Sequence, residues 1–235
     1  MQPSLWSVLQ NRWRDTRSRK SPLRAIQEIS VDVWEFLQES TPQRRRARYG
    51  DVEYDWDHPG ANTTAATVTA RTRLLAALSG APYQPSEPAL FAEMLGALGI
   101  DFAQFTFIDI GSGKGRTLLM AAELGFRRVI GVELLPELHQ VALANIGASG
   151  YGNVESVCVD GRDYRFPPES LVIYLFNPLP AAALAQTIAN LHKSLEQHPR
   201  PVRIIYHNPL SEDVLAAARF LKKVHSTYQY AIYSN

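Results

Sequence analysis

The stretch Phe107-Ile-Asp-Ile-Gly-Ser-Gly-Lys-Gly-Arg116 decides how this chain is read. Thr106–Ile110 is a short, buried-type run. The glycines at 111, 113 and 115 separate it from a helical segment over Gly115–Leu124. A strand that hands over to a helix through such a loop is where open α/β sheets bind ligands, at the carboxyl ends of their strands. Glycines let the backbone turn sharply and approach a ligand with no Cβ in the way. The spacing then narrows the ligand. A phosphate-binding Gly-x-x-x-x-Gly-Lys-Ser/Thr loop is ruled out twice, because Gly115 follows Lys114 and Ile108 stands five positions before Gly113. The dinucleotide fingerprint places its third glycine three residues after the second, and position 116 is arginine.

Outward from the loop, further buried-type runs fall at Arg128–Glu133, Val154–Val159, Leu171–Asn177 and Val202–His207. Helical segments over Pro136–Ile146 and Ala181–Glu196 lie between them, the latter with Leu184, Ile188, Leu191 and Leu195 on one face. Short apolar strands alternating with helices predict an α/β fold, a doubly wound, mostly parallel sheet of seven strands. The C-terminus breaks the alternation: Ser211 with Glu212 and Asp213 caps a short helix, and Phe220–Val224 and Tyr228–Tyr233 read as an antiparallel hairpin. Residues 1–87 read as a helical N-terminal extension or lid. It holds apolar stripes before residue 40, with Ser21-Pro22 as a helix start, then a polar loop over 41–60 and a helix over Thr63–Leu78. Residues 88–235 read as the catalytic domain, opening with a helix over Ala89–Leu98.

Four motifs follow one another on the right elements. The spacing Asp109, Gly111, Gly113, Gly115 resembles the first motif of class I methyltransferases that use S-adenosylmethionine (SAM). Glu133 ends the second strand in Val129-Ile-Gly-Val-Glu133, where a carboxylate accepts hydrogen bonds from both ribose hydroxyls of an adenosine. Val157-Cys-Val-Asp160-Gly-Arg162 matches the place where the family reads adenine with an acidic side chain and the next backbone amide. Tyr174-Leu-Phe-Asn177-Pro178-Leu179 ends the fourth strand over the transferred methyl. The resemblance covers about residues 88–235 and implies SAM as cofactor. It implies Asp109, Gly111, Ser112, Gly113, Gly115, Glu133, Leu134, Asp160, Gly161 and Asn177 as its contacts. Asp109 then faces the methionine part, where a carboxylate suits an ammonium or sulfonium and repels a pyrophosphate. Lys114 and Arg116 read as solvent-facing or structural, and Arg162 with Asp163 as a local pair.

Asn177-Pro178 resembles the Asn/Asp-Pro-Pro-aromatic motif of amino-group methyltransferases, with Leu179 and Pro180 departing from it. The resemblance implies Asn177 and Pro178 as the catalytic pair, the Asn oxygen and a backbone carbonyl orienting the target nitrogen. Tyr83-Gln-Pro-Ser-Glu-Pro88 is similar to the Tyr-x-Pro lead-in of some protein-lysine methyltransferases of this fold, and implies Tyr83 over the methionine end. Protein lysine is therefore the leading acceptor class. An RNA or small-molecule acceptor, and a SAM-binding protein without turnover, stay open. His207, in Tyr206-His207-Asn208-Pro209 after the fifth strand, is a candidate base for an oxygen acceptor.

Composition sets the remaining bounds. The net charge of +1 divides unevenly: residues 1–50 carry ten Lys/Arg against five Asp/Glu, clustered at Arg12 to Lys20 and Arg44 to Arg48. That start suits solvated helix faces first, then an RNA or acidic-protein patch, then a mitochondrial presequence. Cys158 is the one cysteine, so no intramolecular disulfide forms, which suits a reducing compartment such as the cytoplasm. No apolar run reaches the roughly 20 residues of a membrane span. The histidines show no metal-ligand spacing with Cys158.

Overall fold

The computed structural model describes residues 53–78, 84–176 and 179–235. The helices and arginine clusters expected before residue 53 lie outside the described residues, as do Tyr83, Asn177 and Pro178.

Strand β1 (Thr106–Ile110) is buried along its whole length. This is why its sequence lacks polar alternation: a parallel strand covered on both faces reads as a continuous apolar run. It pairs in parallel with β2 (Arg128–Glu133) on one side and β4 (Leu171–Phe176) on the other. β3 (Val154–Cys158) continues the sheet beyond β2, and β5 (Val202–His207) continues it beyond β4. The last two strands, β6 (Lys222–Ser226) and β7 (Tyr230–Ser234), form an antiparallel pair, and β7 runs antiparallel to β5. The seven strands take the order β3-β2-β1-β4-β5-β7-β6. The chain moves outward through β2 and β3, then returns past β1 to β4. The direction of winding thus reverses between β1 and β4, and crevices for ligands open at the carboxyl ends of such a pair.

Among the described residues, seven α-helices flank these strands: α1 (Glu53–Asp57), α2 (Ala70–Leu78), α3 (Pro88–Gly96), α4 (Arg116–Glu123), α5 (Pro136–Ser149), α6 (Ala181–Gln197) and α7 (Glu212–Ala216). α5 starts on a proline and ends at Gly150 in the left-handed conformation, the asymmetry that fixed φ and a missing Cβ favour. Phe91 and Met94 of α3 and Leu118 of α4 pack on one sheet face with Phe107, Val172, Tyr174 and Ile205. Leu184, Ile188, Leu191 and Leu195 of α6 pack on the other face with Ile108, Ile130, Ile173 and Ile204. Side chains alternate across a strand, so Asp109 shares the face of Phe107 and, by register, of Tyr174.

Three expectations are corrected. The polar loop over 41–60 contains α1. The helix expected from Thr63 begins only at Ala70, because the Thr69 hydroxyl accepts the Thr72 amide at 3.2 Å as an N-cap, and Ala65–Thr67 forms a separate 3-10 turn. The hairpin strands start two residues later than read, since Leu221 belongs to the turn after α7, its amide donating to the Ala218 carbonyl at 2.8 Å. Ser211 stands before α7 as expected, but its side chain makes no capping bond.

Candidate active site

The glycine loop is built by left-handed backbone. Gly111, Gly113 and Gly115 have φ of +88°, +56° and +84°, which side chains with a Cβ rarely adopt. The Gly111 and Ser112 amides donate to the Val132 carbonyl at 2.8 and 3.1 Å, so the loop lies against the end of β2. A Cβ on Gly131 of β2 would stand 2.6 Å from both the Ser112 hydroxyl and a methyl of Leu118, so that position tolerates only glycine. The Ser112 Oγ is buried and has no hydrogen-bond partner in the described structure. An unmade bond of this kind costs free energy and suits a group that a ligand satisfies.

Two carboxylates stand beside the loop on the same sheet face. Asp109 is buried and accepts a hydrogen bond from the Thr117 hydroxyl of α4. Burial pushes its pKa up to about 7; the Thr117 hydroxyl opposes this and the Glu133 charge adds to it. Glu133 ends β2, also buried, and accepts the Gly113 amide at 2.8 Å on one oxygen and the Leu135 amide at 2.7 Å on the other. Its pKa is raised by burial and held down in part by these backbone bonds. The Leu134 amide also bonds this carboxylate, which is therefore oriented from both sides and keeps acceptor capacity for a further donor.

The loop's cations turn the other way. Lys114 is 1% exposed. Its ammonium donates to the Thr64 carbonyl at 2.7 Å, to Asn62 Oδ1 at 3.2 Å and to the Thr67 hydroxyl. Arg116 is also buried: its Nε donates to the Thr63 hydroxyl at 2.7 Å and its guanidinium lies 5.0 Å over the Tyr54 ring. Asp55 accepts from the Thr63 amide at 2.8 Å and from the Thr63 hydroxyl. Asn145 of α5 closes the arrangement, donating to the Lys114 carbonyl at 2.8 Å and accepting the Asn62 amide at 2.8 Å. Residues 54–67 thus form a strap behind the loop. Both cations are structural, and the open alternative of solvent-facing side chains is corrected. The Gly111, Ser112, Gly113 and Gly115 amides already donate within the protein, so what the loop offers a ligand is the Ser112 hydroxyl and carboxylate charge.

At the end of β3, Asp160 does not stand alone. It accepts the Arg162 amide at 2.9 Å, and the Arg162 guanidinium binds it at 2.7 Å. Arg162 therefore pairs with Asp160 rather than with Asp163 as expected, because Asp160 caps the 3-10 turn Gly161–Asp163 and already accepts the Arg162 amide. A Cβ on Gly161 would stand 2.9 Å from Ile110, which holds that turn close to β1. Leu134 is partly buried between Glu133 and Leu135. At the ends of β4 and β5, Tyr174, His207 and Ser86 meet. The Tyr174 hydroxyl lies 2.8 Å from Ser86 Oγ and 2.8 Å from His207 Nδ1, and the His207 ring stacks on Phe176 at 3.9 Å. Burial pushes the His207 pKa down to about 4.

Residues 107–198 match the methyltransferase-domain family, a segment running from β1 and the glycine loop through α6. That segment is similar to methyltransferase domains, and it holds the glycine loop and both carboxylates. A search of curated proteins found no match. Among solved structures, the chain is similar to a putative methyltransferase, yhhF, from Escherichia coli, with 14% identity over 65% of this chain and 87% of that one and a TM-score of 0.51. It is also similar to an RNA methyltransferase from Salinibacter ruber in complex with S-adenosyl-L-homocysteine, at 22% identity over 64% and 92% of the two chains with a TM-score of 0.46. A third is a ribosomal protein L11 methylase from Lactobacillus delbrueckii subsp. bulgaricus, at 19% identity over 65% and 79% with a TM-score of 0.47.

The groups present fit SAM: two buried carboxylates for a cation and a ribose, a cradle without Cβ atoms, and an unpartnered hydroxyl. Two consequences of this site are measurable. Burial pushes the Asp109 carboxyl up to about 7. A raised carboxyl contributes stability that is full below the ordinary carboxylate range and is lost as pH rises through 7. A cationic ligand beside it favours the charged form, so SAM binding releases a proton below pH 7. The expected affinity falls about tenfold per pH unit below 7, and calorimetry at pH 6 in two buffers of different ionisation enthalpy shows about one proton released. A flat pH profile between 6 and 8 contradicts this pairing. Lys114→Met, in turn, leaves the strap's acceptors unpaired. The expected cost is about 1–3 kcal/mol of stability, with SAM affinity lowered too because the loop loses its backing; thermal melting and calorimetry read the two effects.

Proposed function

We propose that the methyl acceptor is an amino group, with protein lysine as the favoured class. The observation that carries the reading is the register of β4 on β1: Leu175 pairs with Ile110, so the described end of β4, which Asn177-Pro178 follow in the sequence, lies beside the start of the glycine loop. SAM supplies the methyl as a sulfonium that departs as a neutral thioether. The work left to the protein is positioning, since a reacting nitrogen and carbon must meet at about 3 Å in line.

In this reading Asp109 faces the methionine end, Glu133 takes the ribose, and Asp160 with Gly161 borders the adenine beside Leu134. Gly111, Ser112, Gly113 and Gly115 form the cradle. The Arg162 guanidinium leaves Asp160 with fewer free lone pairs, so the Gly161 region contributes by shape and by backbone amide. Tyr83 closes over the cofactor, and Asn177 and Pro178 orient the amine. Residues 1–87 act as an extension that backs the cofactor loop and borders the acceptor side, while residues 88–235 form the catalytic domain. No described helix is long and apolar enough to cross a membrane, and a cytoplasmic location suits the lone, exposed Cys158.

The test is a cell extract incubated with the full chain and methyl-labelled SAM, followed by mass spectrometry. Label on a protein lysine supports the reading. Label on RNA or on a small molecule replaces the acceptor class, and salt-sensitive RNA binding would accompany the first of these.

A further inference from the structure

We infer that Arg162 sets the base specificity of the cofactor site: it fills the Asp160 carboxylate and so withdraws it from the 6-amino group of adenine. The inference rests on the reading above, in which the adenine of SAM borders Asp160 and Gly161.

An ionised carboxylate has about four lone-pair sites for donors. On Asp160 one residue takes them. Oδ1 accepts the Arg162 amide at 2.9 Å and its Nε at 3.1 Å, while Oδ2 accepts Nη2 at 2.7 Å and shares the same Nε at 3.0 Å. The planar guanidinium thus grips both oxygens at once, a fork that a lysine ammonium does not form. The two side chains are 21% and 16% exposed, so water competes weakly for either of them.

The clasp is local and held from outside. Asp160 stands before the 3-10 turn Gly161–Asp163, and the Asp163 amide donates to the Asp160 carbonyl at 2.9 Å. Asn190 of α6 donates to the Arg162 carbonyl, which ties the turn to that helix. Gly161 packs on Ile110 of β1 and on Leu179, since a Cβ there would stand 2.9 and 3.5 Å from them. Beside the clasped carboxylate, the turn therefore meets its neighbours through apolar side chains and backbone.

A site that binds a ligand N–H through a buried polar group rejects an analogue lacking that N–H, and a site without such a group does not. With Asp160 filled, the 6-amino group adds little to affinity. Recognition then rests on Glu133 at the ribose, Asp109 at the methionine end and apolar contact at the base. Removing the guanidinium leaves Oδ2 open, and a preference for the amino group should appear.

Calorimetry on the full chain tests this with two ligands. One is S-adenosylhomocysteine, and the other is its analogue with unsubstituted purine as base, which lacks only the 6-amino group. The parent is expected to bind both within about threefold. Arg162→Met is expected to favour S-adenosylhomocysteine by about 10- to 100-fold, the range of a hydrogen bond to a charged acceptor. A merely structural role for Arg162 would weaken both ligands alike and leave their ratio unchanged, which overturns the inference. So does a parent that already prefers S-adenosylhomocysteine tenfold or more. Should Arg162→Met fail to fold, Arg162→Lys replaces the fork with a single-point contact; a ratio raised above the parent's supports the inference and an unchanged one overturns it. Failure of the parent to bind S-adenosylhomocysteine at all overturns the cofactor reading as well, whereas binding with the wrong ratio overturns this inference alone.

Discussion

Asn177→Ala is expected to keep SAM affinity within about threefold, under roughly 0.7 kcal/mol on the scale where 1.4 is tenfold, while turnover falls about 10- to 1000-fold. That range belongs to a lost positioning contact or polar group at a reacting centre. The reasoning is that an orienting contact to the acceptor matters most when the nitrogen is held in line with the methyl. An interaction made mainly in the transition state lowers kcat and kcat/KM together, whereas a loss of uniform binding raises KM alone. The rival is that Asn177 only ends a strand, in which case stability drops and turnover per folded molecule survives. Turnover and melting temperature measured on one preparation separate the two. A folded, fully active Asn177→Ala enzyme would falsify the role.

Glu133→Ala is the second large effect, expected to weaken SAM and S-adenosylhomocysteine binding by about 1–3 kcal/mol, the loss of a charged acceptor. Two contributions combine here. Glu133 holds the Gly113 and Leu135 amides, so its loss loosens the loop, and in the proposed role it also loses the ribose hydroxyls. A 2′-deoxyribose analogue distinguishes them: the parent should discriminate against it and the variant should not. NAD should bind neither protein. Binding of NAD, or unchanged SAM affinity in the variant, contradicts the assignment.

Much of the fold was legible because burial on both faces leaves an unambiguous apolar run. β1, β2 and β5 fall at the expected bounds, β3 ends one residue earlier than read, and β4 matches over its described residues. β6 was placed two residues early for the opposite reason. Lys222–Ser226 is an edge strand exposed at every residue, so no hydrophobic pattern marks it, and its lysines fit an edge that avoids pairing with other chains. The Thr63–Leu78 stretch misled because threonine suits a cap as well as a helix, and the choice was made by Asp55 and Thr69 through bonds that composition does not reveal. At the site, spacing pointed to the loop glycines and both carboxylates. The burial of Lys114 and Arg116 did not show, since their partners lie 47 to 53 residues away in the chain. The Ser86–Tyr174 bond spans 88 residues and was equally silent. Local chemistry is written in local sequence; long-range hydrogen bonds are not.

The strap behind the glycine loop also bears on how this enzyme can be taken apart. The segment that carries the family likeness starts at Phe107, yet the ammonium of Lys114 finds its acceptors at residues 62–67. A transplant of the catalytic cassette alone into another scaffold would carry two buried cations stripped of their cover, and a naked buried charge is far costlier than a lost surface contact. Modularity in this protein therefore ends well upstream of its glycine motif: any swap or minimised version must bring residues 54–67 along, or replace Lys114 and Arg116 with apolar side chains that can do without them.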